Sequence, residues 1–150
     1  MPPLPPEIVR RLLAQYRPDL PQAQAEALTA LAGGSIGRAL DLAAAGGIEL
    51  HATVSKLLRG ANEVAALHAF ADRIARSEAE DSYRAVEELI SLELARLASA
   101  TARSGNRAAA ARWAELRGHI AENFARTDAL NLDRKQTILG AFFAIDAAAR

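Results

Sequence analysis

Between Tyr83 and Leu97 the large apolar residues step by three and four: Tyr83, Val86, Ile90, Leu94, Leu97. That spacing lines one face of a helix and fits no strand, where one face takes every second residue. A long stretch near 80–103 can therefore hide its apolar side only as a helix. Shorter segments repeat the pattern. Alanine, the strongest helix former, supplies roughly a quarter of the residues. β-Branched and aromatic residues, the usual material of sheets, are sparse. The expected fold class is all-α.

Prolines and glycines punctuate the helices. "MPPLPP" is stiff and extended, and a first helix starts near Pro6, where a missing N–H costs nothing. Ile8, Val9, Leu12 and Leu13 form its stripe, and "YRPDLP" ends it. Pro21 opens a second helix with Ala27, Leu28 and Leu31 inward, closed by Gly33 and Gly34. Ser35 reads as the N-cap of a third, carrying Ile36, Ala39, Leu40 and Leu42. Gly46 and Gly47 make the clearest break, and a domain boundary is placed there, giving units 1–46 and 47–150.

Five helices are expected in the second unit. They run over 48–59, from a cap at Asn62, over 80–103, over about 108–126, and from a cap at Asn131, with Asp133 in the first turn of the last. "RSGNR" is a turn. Leu89 and Leu92 widen the stripe of 80–103; Ile138, Leu139, Phe142, Phe143 and Ile145 give the last helix a broad apolar face. Such width suits either a central place in a bundle or a second face covered by a neighbouring protein.

The residues offer little chemistry. With no cysteine there is no thiolate metal site, disulfide or thiol nucleophile. His51, His68 and His119 are far apart, and none sits in a metal-binding spacing. "SEAED" and "EELISLE" read as solvated helix faces, and no phosphate-loop motif occurs. Eighteen basic residues balance eighteen acidic ones, so a broad cationic surface for DNA or an anionic membrane is excluded while local basic patches are not. No apolar run approaches a membrane span, and the N-terminus lacks the pattern of a secretory signal. A cytoplasmic protein without catalysis, metal or cofactor is expected.

One stretch stands apart: "AGGSIGRAL", residues 32–40, with three glycines in five positions and then Arg38. Its plain reading is helix stop, turn and helix start, with Gly37 letting two backbones pass closely. The alternative is an anion site, because amides at a helix N-terminus carry partial positive charge and an arginine in the first turn can reach a phosphate.

The stretch "LPPEIVRRLLAQYRPDLPQAQAEALTALAGGSIGRAL" resembles the helical lid of AAA+ clamp loaders, whose third lid helix begins with a G-S-x-x-x-A-L pattern known as sensor 2. "LHAFADRIAR", the tyrosine-bearing helix, "ARWAEL" and "ENFARTDALNLDRKQTILGAFFAI" resemble the C-terminal collar of the delta-prime family within that group. The resemblance implies a three-helix lid followed by a five-helix collar bundle. It further implies a non-catalytic scaffold whose partners are the gamma/tau- and delta-type subunits, with DNA and the sliding clamp reached only through the complex. It makes Ser35, Gly37 and Arg38 nucleotide-proximal candidates, although Arg38 stands one position beyond the usual arginine, a rotation of about 100° on a helix. For contacts between subunits it points to Ile90, Leu94 and Leu97, and to Ile138, Phe142 and Ile145. The family's RecA-like domain has no counterpart here, so a fragment holding lid and collar is expected. An independent helical adaptor that grips a partner helix or peptide is the alternative.

Overall fold

The computed structural model describes residues 2–59, 63–76 and 80–150, with only the backbone of Glu80. All regular structure among them is helical: α1 Pro6–Tyr16, α2 Gln22–Ala32, α3 Ile36–Ala44, α4 Gly47–Arg59, α5 Val64–Ala75, α6 Glu80–Arg103, α7 Arg107–Leu130 and α8 Arg134–Ala149. The chain divides into two compact units after Ala52, inside α4.

In the first unit α1, α2 and α3 all touch one another. Val9 and Leu13 of α1, Leu28 and Ala32 of α2, and Ala39 and Leu42 of α3 form its core, all at most 1% exposed. Arg17 closes α1 by donating its amide to the Leu13 carbonyl, and the bend beyond is held by two bonds from the Arg17 guanidinium to Asp19, at 2.9 and 2.8 Å. The glycine pair at 46 and 47 is not the boundary. Gly46 takes the left-handed turn, but Gly47 is buried and begins α4, and a Cβ on it would lie 2.7 Å from the Leu42 carbonyl oxygen. The two glycines make a tight corner inside the first unit rather than a linker.

In the second unit α5 touches α6, α6 touches α7, α7 touches α8, and α8 returns to α5. The fifth helix expected here, α4, is divided between the units, and its part from Thr53 onward belongs to the second along with this ring of four. Helices α6 and α7, each 24 residues, are joined by the turn at Ser104 and Gly105. Asn106 caps α7 by accepting from the Ala109 amide at 3.0 Å. So short a connection leaves α6 and α7 antiparallel neighbours. The core is dominated by Tyr83, Leu89, Ile90 and Leu94 of α6, Phe124 of α7, and Ile138 and Phe142 of α8. Phe142 meets Phe70 of α5 edge to face at 6.1 Å between centroids. Lys135 to Asp72, 2.8 Å, and Arg117 to Ser91, 2.7 Å, join α8 to α5 and α7 to α6 at the surface.

Two helix ends differ from expectation, and a third lies out of view. Helix α7 runs on to Leu130, because nothing in "ARTDAL" breaks a helix. Asn131 does not cap α8; it is the left-handed residue that ends α7, at φ 50°. The amides of Asn131 and Leu132 return to the carbonyls of Asp128 and Thr127, the paired bonds of a Schellman ending. Asp133 is the true N-cap of α8, accepting from the Gln136 amide at 3.3 Å. The cap expected at Asn62 falls outside the described residues; α5 follows Glu63, whose side chain makes no capping bond.

Candidate functional site

The first candidate is the corner between α2 and α3. Ser35, in extended conformation, turns its hydroxyl onto the Arg38 amide at 3.2 Å and so caps α3. The Arg38 guanidinium folds back and donates to the carbonyl of Ala32, the last residue of α2, at 3.4 Å. A cation against the carbonyl end of a helix is favourable, and that carbonyl, free of a partner within α2, also accepts from the Ser35 amide at 3.1 Å. Arg38 thus lies against protein backbone. Gly37 permits no close approach: a Cβ there would meet only the Ser35 hydroxyl, at 3.9 Å. Gly34 is the glycine that does, with φ +84° and the backbone of Leu4 within 2.9 Å of where its Cβ would stand.

The interaction candidates need correction. Ile90, Leu94, Ile138, Phe142 and Ile145 lie in the core of the second unit, none more than 3% exposed. Most of the wide stripes of α6 and α8 is taken up by the ring itself, α6 packing on α5 and α7 while α8 packs on α7 and α5; Phe143 of the α8 face stays exposed. Of the six candidates only Leu97 is partly exposed. Tyr83, Val86 and Leu89 are equally buried.

Other apolar side chains do face outward in the second unit. Leu130 is 59% exposed, Leu132 48% and Phe143 45%. Leu132 lines an open groove of about 490 Å³ between α7 and α8. Leu116, Ile120 and Phe124 supply its apolar wall from α7, Ala141 and Ala144 from α8, with His119, Arg126 and Gln136 among its polar residues. Phe143 stands one helical turn from Gly140, another lining residue. Leu130 is the last residue of α7, and Leu132 follows the left-handed Asn131 in its Schellman ending. A left-handed Asn between two leucines in "ALNLD" was the available signal for this feature.

Beneath the groove lies a polar knot. The hydroxyls of Thr127 and Thr137 bond each other at 2.6 Å. The hydroxyl of Tyr83 is buried beside them; among the described residues no bond to it reaches full hydrogen-bond geometry, although Thr127 and Thr137 are near enough to favour its ionised form slightly. Arg134 covers the Tyr83 ring at 4.6 Å and pairs with Asp128 at 3.1 Å. Burial, reinforced by the charge of Asp128, pushes the Tyr83 phenol up to about 12. Burial also raises the Glu87 carboxyl, with Asp128 and Glu88 adding to the effect.

Among the described residues no group of three or more His, Asp or Glu side chains could hold a metal ion, and no helix is long and apolar enough to cross a membrane. His51, His68 and His119 sit on α4, α5 and α7. "EELISLE" lies on α6, where Glu93 pairs with Arg96 at 3.0 Å; most of "SEAED" lies outside the described residues. No protein-family model matches the chain, and neither does any curated protein or solved structure.

Proposed function

We propose that this chain is a subunit-association module of a replicative clamp loader, corresponding to the lid and collar of a delta-prime-type subunit, with no catalysis of its own. The observation that carries the reading is the apolar-walled α7–α8 groove with half-exposed Leu132 on its rim; Leu130 and Phe143, on the same two helices, also remain exposed after the ring of α5–α8 has closed. An apolar groove with an exposed leucine at its rim favours a covering partner. The sequence stretches quoted above and the order of a three-helix unit before a helical ring agree with it. The contact surface in this proposal is the α7–α8 edge, not the buried residues of α6 and α8. Arg38 serves as a structural clasp, and a cytoplasmic site of action belongs to the same proposal.

The α7–α8 groove favours a second reading. Its apolar walls are those of an adaptor that receives one partner helix. One experiment separates the two. The chain is mixed with gamma/tau- and delta-type clamp-loader subunits, and mass is measured by light scattering after gel filtration. A stoichiometric complex that Leu132→Asp disrupts supports the clamp-loader reading. Indifference to those subunits, with capture of an amphipathic helical peptide, supports the adaptor.

A further inference from the structure

A second groove, of about 650 Å³, lies entirely within the first unit, between α1 and α2. On α1, Val9 and Leu13 turn inward, while Glu7, Arg10, Arg11 and Ala14 repeat at three- and four-residue spacing on the outward side and line the groove. Ile8, Leu20 and Ala25 give it an apolar lining. Arg17 closes one end, its guanidinium held by the two bonds to Asp19. Three guanidinium groups therefore line one apolar groove with the carboxylate of Glu7; Arg17 is already paired with Asp19, so the cations left to a ligand are Arg10 and Arg11. Among the described residues neither Arg10 nor Arg11 has an ion-pair or hydrogen-bond partner for its side chain. In a chain whose formal charge is zero, this concentration of cations is local.

We infer that the α1–α2 groove is a docking site for an acidic peptide segment, one that sets an apolar side chain into the groove and lays carboxylates against Arg10 and Arg11. The guanidinium fork matches a carboxylate with two parallel hydrogen bonds, and the apolar lining gives the segment a reason to seat rather than only hover. A nucleic-acid strand fits less well: tracking phosphates needs an unbroken cationic path. Here Glu7 and Asp19 interrupt the path. The site shares no residue with the α7–α8 groove, so it stands or falls independently of the clamp-loader reading.

The test uses the full chain and a fluorescein-labelled peptide in which Leu and Phe are flanked by Asp and Glu, followed by fluorescence anisotropy at low salt. The expected result is micromolar binding that weakens as salt rises. Arg10→Glu combined with Arg11→Glu should weaken it at least tenfold, and Arg112→Glu, on α7, should leave it unchanged. Should the double reversal disturb the fold by circular dichroism, Ala14→Trp decides the matter, since it fills the groove while keeping both charges and should also weaken binding. No binding, binding indifferent to both variants, or tighter binding of a single-stranded oligonucleotide that competes for the same arginines would overturn the inference.

Discussion

The backbone amide of Leu4 donates to the carbonyl of Gly34 at 2.9 Å, tying the proline-rich N-terminal segment to the turn between α2 and α3. The bond explains much of the glycine cluster. Gly33 and Gly34 both take positive φ, at 56° and 84°, but only Gly34 is crowded: its Cβ would stand 2.5 Å from the Pro3 Cβ. Gly33 turns the chain, Gly34 lets a second backbone pass, and Gly37 has neither duty.

Substitutions should therefore rank by crowding. Gly34→Ala should cost about 2–4 kcal/mol, joining left-handed strain to overpacking. Gly46→Ala has a similar φ of 67° but open space around it, and should cost about 1–2 kcal/mol. Gly37→Ala, on an exposed helical position, should be neutral or mildly stabilising. Urea unfolding followed by circular dichroism gives the ranking. Equal losses at 34 and 46 would mean that the N-terminal segment simply lifts away.

Much of this architecture was legible in the sequence. Pro6, the Ser35 cap and the "RSGNR" turn act locally, so their neighbours along the chain suffice to place them. The inward stripe of α6 follows from spacing alone. The site was far less legible. Apolar width on α6 and α8 cannot distinguish a helix central to its own bundle from one awaiting a neighbour; Ile90, Phe142 and Ile145 are buried within the unit, whereas Phe143 of the same α8 face is left exposed. Nor does a sequence say where the Arg38 guanidinium turns, because Ala32 reaches it only through the fold of the corner.

At that corner, Ser35→Ala should cost about 1 kcal/mol through loss of the α3 cap. Arg38→Ala should cost less, about 0.3–1 kcal/mol, as a partly exposed cation at a helix end. Neither substitution should alter the calorimetric response to ATP, which should be flat for the parent chain too. Micromolar nucleotide binding lost in Arg38→Ala would restore the anion-site reading.

The two residues after α7 should separate by role. Asp133→Ala removes the α8 cap and should cost about 1 kcal/mol. Asn131→Gly keeps the left-handed turn and should be nearly neutral, whereas Asn131→Val should cost at least about 1–2 kcal/mol. Thermal unfolding of the three variants is sufficient. If Asn131→Gly proved as damaging as Asn131→Val, its side chain would be needed for more than backbone geometry.

Tyr83 supplies a pH dependence. Its phenol ionises near 10 in the unfolded chain but is held up to about 12 in the fold. Above pH 10 the unfolded chain loses this proton while the folded one keeps it, so fewer protons are bound on unfolding and stability falls as pH rises. Tyr83's contribution is fully present below pH 10 and is lost as pH passes through about 12. Tyr83→Phe removes both the titration and a buried hydroxyl whose neighbours Thr127 and Thr137 already bond each other. That variant should be at least as stable as the parent at neutral pH and should lose less stability between pH 10 and 12. A variant markedly less stable at neutral pH would show that the hydroxyl holds a full bond to the Thr127–Thr137 pair.

Leu132 and Phe142 make the sharpest test of where the proposed association would occur. Phe142 is 2% exposed and packs on Phe70, so Phe142→Ala should cost about 3–5 kcal/mol. Any loss of partner binding in that variant would follow from unfolding. Leu132 lines the α7–α8 groove and is half exposed, so Leu132→Asp should change stability by no more than about 0.5 kcal/mol. It should nevertheless abolish association, because an ionised carboxylate would have to be buried against an apolar partner. Denaturation and light scattering on the same two variants separate the effects. Full association by a folded Leu132→Asp chain would move the partner's contact away from the α7–α8 edge and leave the exposure of Leu130, Leu132 and Phe143 without a role in it.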